Sequence, residues 1–111
     1  MKVKTQDYND FIVVQLQGQL EGDVVELFQN TITNIVREPK AGIVLDMSDV
    51  EFIDSRGLEQ LLWSRNYCNQ NKRQLRLAGL DENCKRILEI TRLGTEFDHY
   101  AELAQAVKSL A

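Results

Sequence analysis

The stretch that decides the fold reads Ile43-Val44-Leu45-Asp46-Met47-Ser48-Asp49-Val50-Glu51-Phe52-Ile53-Asp54-Ser55-Arg56-Gly57-Leu58. Its first three residues form an unbroken apolar run closed by an acid, the pattern of a strand buried on both faces of a sheet. A polar loop, 48–54, is expected next, with the apolar pair Phe52-Ile53 anchoring it to the core. Asp54-Ser55 then opens a helix expected over about Ser55–Asn71, with Leu58, Leu61, Leu62 and Cys68 facing inward at helical spacing. In a parallel sheet, the segment beyond a strand's C-terminal end is where binding groups collect. The function is therefore sought there.

Outward from this stretch the chain alternates strands and helices. Upstream, Val3–Tyr8 is a polar strand, Asn9-Asp10 a hairpin turn, and Phe11–Leu16 a strand with Ile12, Val14 and Leu16 on one face, ended by Gly18. From Asp23, residues Val24, Leu27, Phe28, Thr31, Ile32 and Ile35 share one helical stripe, stopped by Pro39 and Gly42. Downstream, Leu75 and Leu77 alternate in a strand ending at Gly79, and Asp81 starts a helix with Cys84, Ile87 and Leu88 on one face, ending near Gly94. A short strand is expected at Glu96–Asp98. A last helix carries Leu103, Val107 and Leu110. The order β-β-α-β-α-β-α-(β)-α predicts an α/β fold: a mixed, mostly parallel sheet of four to five strands with about four helices.

Composition narrows the function. The 111 residues are 43% hydrophobic and 27% charged, which predicts one domain over residues 1–111 with a single core. The net charge of −4 disfavours nucleic acid and anionic membrane as main partners. No apolar run is long enough for a membrane span and no leader pattern opens the chain, so a cytoplasmic location is expected. Cys68, Cys84 and the single His99 match no metal-ligand spacing, and no cofactor is expected. The cysteines lie on inward helical faces and read as core residues, and His99 reads as a surface residue. The charge is also uneven: residues 1–60 balance at −6 and residues 61–111 at +2, read as faces of one domain.

Ser55 is the residue with switching potential. A hydroxyl at a helix start faces solvent beside unpaired backbone N–H groups, where a phosphate is favoured by those donors and by the helix dipole. Phosphorylation would add about −1.5 to −2 charge units to a surface holding Asp49, Glu51, Asp54 and Glu59. By itself, Asp54-Ser55 also reads as a plain helix cap. Trp63 and Tyr67 share one helical flank, suited either to packing on a neighbouring helix or to contact with a partner or second copy in a weak homodimer. Lys72-Arg73 with Arg76 reads either as decoration of a helix end and an edge of the sheet or as a cluster that receives an acidic partner. A response-regulator receiver would share the strand ending in Asp46. It would also need an acidic pair after the first strand and a lysine after a later one, and neither is present.

Val50-Glu51-Phe52-Ile53-Asp54-Ser55-Arg56-Gly57-Leu58 resembles the signature of the STAS family, whose bacterial members include anti-sigma factor antagonists. Gly18-Gln19-Leu20-Glu21 is similar to the Gly-x-Leu-Asp that the family commonly carries before its first helix. The resemblance spans the chain. It implies a STAS-like domain that works by protein binding and has no catalysis of its own. Unphosphorylated, such a domain binds an anti-sigma factor that is also a serine kinase; phosphorylation of the serine matching Ser55 ends the binding, and a phosphatase restores it. On this resemblance Ser55 is the acceptor, Asp54 orients the helix start, Gly57 lets the partner approach, and Glu21, Arg56 and Leu58 lie on the partner surface. Arg56 stands where the family usually has a small residue, Glu21 replaces the commoner Asp, and Glu59-Gln60 is more polar than usual. STAS domains also serve as adaptors in stress-signalling, transport and lipid-trafficking complexes, in which Ser55 would be only a cap.

Overall fold

The computed structural model describes residues 1–22 and 24–110, so the expected helix start at Asp23 lies outside the described residues. The elements are β1 (Lys2–Asp7), β2 (Phe11–Leu20), α1 (Val25–Val36), β3 (Gly42–Ile53), α2 (Ser55–Gln70), β4 (Gln74–Ala78), α3 (Glu82–Ile90), a 3-10 turn (Gly94–Glu96), β5 (Asp98–Tyr100) and α4 (Leu103–Lys108). The fold is a mixed α/β one with the element order read from the sequence. The sheet runs β1-β2-β3-β4-β5. The hairpin β1–β2 is antiparallel and the other pairs are parallel.

Each parallel crossover steps to the next strand in one direction, so right-handed connections put α1, α2 and α3 on the same face. Side chains sort accordingly. Ile12, Val14, Leu16, Ile43, Leu45 and Leu77 pack with Phe28 and Ile32 of α1, Leu61 and Cys68 of α2, and Cys84 and Leu88 of α3. The opposite residues Val13, Val44 and Ala78 pack under α4 against Ala106. Ile43, Val44 and Leu45 are each fully buried, as a strand covered on both faces requires.

The structure corrects several boundaries. β1 covers Lys2–Asp7 rather than Val3–Tyr8, and β5 covers Asp98–Tyr100 rather than Glu96–Asp98, which puts His99 in a strand. β2 does not stop before Gly18, and the expected loop 48–54 is mostly strand: β3 continues to Ile53. Two register shifts, between Gln15 and Gln17 and between Gly18 and Leu20, let β2 keep pairing while β3 carries extra residues. The buried residues of this extension, Met47, Val50 and Ile53, therefore recur every third position, a spacing no regular strand shows. As a result only Ile53 anchors this end, at 2% exposure, while Phe52 turns outward at 42%.

Leu27 also departs from its expected stripe, at 42% exposure. It lines an open hollow of about 400 Å³ between β1 and α1. Arg73 and Arg76 flank and occupy β4, which is an inner strand; the edge is β5. Trp63 and Tyr67 stack with centroids 4.9 Å apart and pack, half-buried, against the core. Both cysteines are buried. Burial is the first cause that pushes the Cys68 thiol up to about 11, and burial followed by Asp81 pushes Cys84 to about 12.

Candidate functional site

The junction between β3 and α2 is organised by one carboxylate. Asp54 is the N-cap of α2 in an extended conformation, and its Oδ1 accepts the Gly57 N–H at 2.8 Å. Its Oδ2 accepts the Gly22 N–H at 3.1 Å, from the loop between β2 and α1. The Asp54 backbone N–H in turn donates to Leu20 O at 3.2 Å. Two segments more than thirty residues apart are thus held together by both ends of Asp54. The Gly57 N–H, first of all, holds the Asp54 carboxyl below its usual value. Partial burial opposes that pull, and the Gly22 and Arg56 N–H groups and the Arg56 charge add to it.

Gly57 is buried against this same junction. A Cβ at Gly57 would collide with Leu20 O and come within 3.0 Å of the Ile53 Cγ2 methyl. The close approach that this glycine permits here is inside the molecule, between α2 and the end of β2. Leu58 is half-buried and packs on the core. Ser55 and Arg56, the first two residues of α2, are exposed, and Glu21 is half-exposed.

Two hollows flank the junction. One, of about 550 Å³, lies between α1 and α2 and is lined by Gly22, Val25, Glu26, Gln29, Arg56 and Glu59. Beneath it Gln29 Nε2 donates to the buried Gln60 Oε1 at 3.0 Å, tying α1 to α2. The other, of about 540 Å³, lies over the end of β2 and includes Gly18, Glu21, Asp49 and Glu51. The structure therefore brings Glu21, Asp54, Ser55, Arg56 and Gly57 together, with carboxylates on both sides. Among the described residues no group of side chains could hold a metal ion, and no helix is long and apolar enough to cross a membrane.

Sequence reasoning missed two members of this surface. Gly22 supplies the second tether to Asp54. Its position right after Glu21 and its left-handed φ of +62° follow from a tight turn that Leu20-Glu21-Gly22 hints at but does not fix. Phe52 is an exposed aromatic three positions before Ser55, and its apolar character pointed inward on every local rule.

Known proteins share this fold. The chain is 25% identical over 93 residues to the anti-sigma-B factor antagonist of Staphylococcus epidermidis, covering 84% of this chain and 86% of that protein. An anti-sigma factor antagonist from Mycobacterium paratuberculosis superimposes with a TM-score of 0.86 at 21% identity, covering 98% of this chain and 92% of the other. The unphosphorylated form of the anti-sigma factor antagonist SpoIIAA gives 0.82 at 16% identity over 98% and 96%. The phosphorylated form of SpoIIAA from Bacillus gives 0.74 at 16% identity over 99% and 100%. These structural likenesses are likenesses of fold. The family model described as the STAS domain matches residues 2–106, and the chain belongs to the STAS domain family.

Proposed function

We propose that this chain is an anti-sigma factor antagonist that switches partners through Ser55. In its unphosphorylated form it docks on an anti-sigma factor with the surface formed by Glu21, Asp54, Ser55, Arg56 and Leu58, held in shape by Gly57. The partner, acting as a serine kinase, phosphorylates Ser55 and is released, and a phosphatase resets the switch. The chain itself binds and does no catalysis, and it acts in the cytoplasm. The observation that carries this reading is an exposed serine at the first position of a helix capped by Asp54, next to Arg56, which lines a hollow that also carries Glu26 and Glu59.

The physics of release is local. A phosphate on Ser55 adds about −1.5 to −2 charge units next to the Asp54 carboxylate and Arg56, at the edge of a surface that carries Glu26 and Glu59. It must also be desolvated by any partner that covers it. The Asp54 cap lies on the inner side of the helix start, so modification leaves the fold in place and changes only the surface. The test is incubation with ATP and each anti-sigma factor of the source organism, followed by intact mass, site mapping and binding measurement. One phosphate on Ser55, binding retained by Ser55→Ala and binding weakened at least about tenfold in Ser55→Asp are expected. No phosphate, with Ser55→Asp binding as wild type does, overturns the switch and leaves the adaptor reading, which the charge of Arg56 beside Ser55 favours.

A further inference from the structure

Four large apolar side chains are exposed among the described residues: Tyr8, Leu27, Phe52 and Ile90. Three of them have settings of their own. Tyr8 stacks on Phe11 with ring centroids 4.7 Å apart, and Phe11 pairs with Gly42 at the start of β3, the end of the strand opposite Phe52. Leu27 lines the hollow between β1 and α1. Ile90 is the last residue of α3, a helix that begins beside Val50, where the Cys84 thiol donates to Val50 O at 3.5 Å, and leads away from there. Phe52 is the penultimate residue of β3, at the junction that carries Ser55, and belongs to neither apolar cluster.

The backbone puts it there. Gly18 pairs with Val50 and Leu20 with Ile53, so β3 sets two residues, Glu51 and Phe52, against the single Gln19 of β2. An extra residue in one strand breaks the inward–outward alternation and re-aims a side chain. Val50 and Ile53 take the inward places, and both residues between them are exposed. The core is thus closed at this end by Val50 and Ile53, and the ring of Phe52 is left over for another use.

Its surroundings are charged. From Asp46 to Glu59 the chain carries five carboxylates, those of Asp46, Asp49, Glu51, Asp54 and Glu59, and one base, Arg56. Glu51, Ser55 and Arg56 are exposed with it. An aromatic ring among hydrated charged groups has the make-up of an interface anchor. The ring supplies affinity once a pocket closes over it and water is excluded. The charges around it set the rate and the choice of encounter.

We infer that Phe52 is the apolar anchor of the docking surface, received by the anti-sigma factor in an apolar pocket rimmed with lysine or arginine. The inference rests on the docking proposed above and adds to it the residue that supplies affinity. The ring is the same in both states of the switch, so Phe52 holds the partner while Ser55 controls the hold.

The test measures binding kinetics of the unphosphorylated full chain on each anti-sigma factor of the source organism. Phe52→Ala should weaken binding at least about tenfold, mainly through faster dissociation, and Phe52→Leu should keep part of the affinity. Tyr8→Ala removes an equally exposed aromatic, 41% against 42%, and should bind as wild type does. Salt should slow association, and Glu51→Gln should slow it at low salt while leaving dissociation unchanged. Tm of each isolated variant separates a folding defect from a binding one; if Phe52→Ala fails to fold, Phe52→Leu and Phe52→Gln carry the test. Wild-type affinity in Phe52→Ala, or equal losses in Phe52→Ala and Tyr8→Ala, overturns the anchor while leaving the docking intact if Ser55→Asp still weakens it. Association that salt does not slow overturns the basic rim. If no anti-sigma factor binds the wild-type chain, the docking itself fails and the anchor with it.

Discussion

Replacing Gly57 by alanine sets two effects of opposite sign against each other. Alanine in a helix is favoured over glycine by about 1 kcal/mol, so propensity alone predicts a more stable protein. The added Cβ, however, meets Leu20 O well inside van der Waals contact and the Ile53 Cγ2 methyl at 3.0 Å. Leu20 and Ile53 are buried at 0% and 2% exposure, so neither has space to retreat into. Relief requires α2 to move away from β2, which costs about 1–3 kcal/mol for overpacking. It also strains the Asp54 N–H to Leu20 O bond, worth about 1 kcal/mol. The net expectation is a loss of about 2 kcal/mol, or about 8 °C in Tm for a domain of this size. Urea unfolding of the isolated chain reads it as a lower midpoint with an unchanged slope. A Gly57→Ala protein as stable as the wild type, or more so, would refute the reasoning: the junction would then be pliant and the glycine would be there for another purpose. Measuring the chain without any partner keeps this effect apart from a docking defect.

Three further outcomes are expected. Asp54→Ala should lower the Tm; because the folded carboxyl titrates below the usual 3.8, its contribution is complete above that value and is lost as pH falls through the folded one, so the gap to wild type should close in acid. Cys68 and Cys84 should resist a thiol reagent at pH 8 and both react in denaturant. Since folding raises their values from 9.0 to about 11 and about 12, stability should be complete below about pH 9 and decline above it, as thiols ionise first in the unfolded chain. Gly79→Ala should destabilise by about 1–3 kcal/mol, because its φ is +74° and a Cβ there would strike Ser48 Oγ. Adding Ser48→Ala should recover the part due to the Oγ clash and leave the left-handed backbone strain and the 3.1–3.2 Å contacts with the Ser48 backbone.

The legible parts of this chain are those whose signals are local. Ile43-Val44-Leu45 declares a strand covered on both sides, and Asp81 and Asp54 declare helix starts, because cap chemistry acts over three residues. The parts that were not legible depend on pairing between distant segments. The spacing of Met47, Val50 and Ile53 makes sense only against the shifted register of β2, and the same shift turns Phe52 to solvent. The need for glycine at position 57 comes from the carbonyl of Leu20, and the second tether of Asp54 from Gly22. Neither contact has a trace within the motif that contains Asp54 and Gly57.

The strand order carries a consequence of its own. In open parallel sheets the crevice that swallows a cofactor forms where consecutive crossovers depart to opposite faces and the strand tips part. Here the order of the four parallel strands never reverses, and the three crossover helices lie side by side on one face. The strand order therefore provides no such switch-point crevice, and the hollows found at this end among the described residues are open ones between α1 and α2 and over the end of β2. Such a surface suits engagement of another macromolecule by breadth of contact, which is the mode of binding that the proposed switch at Ser55 requires.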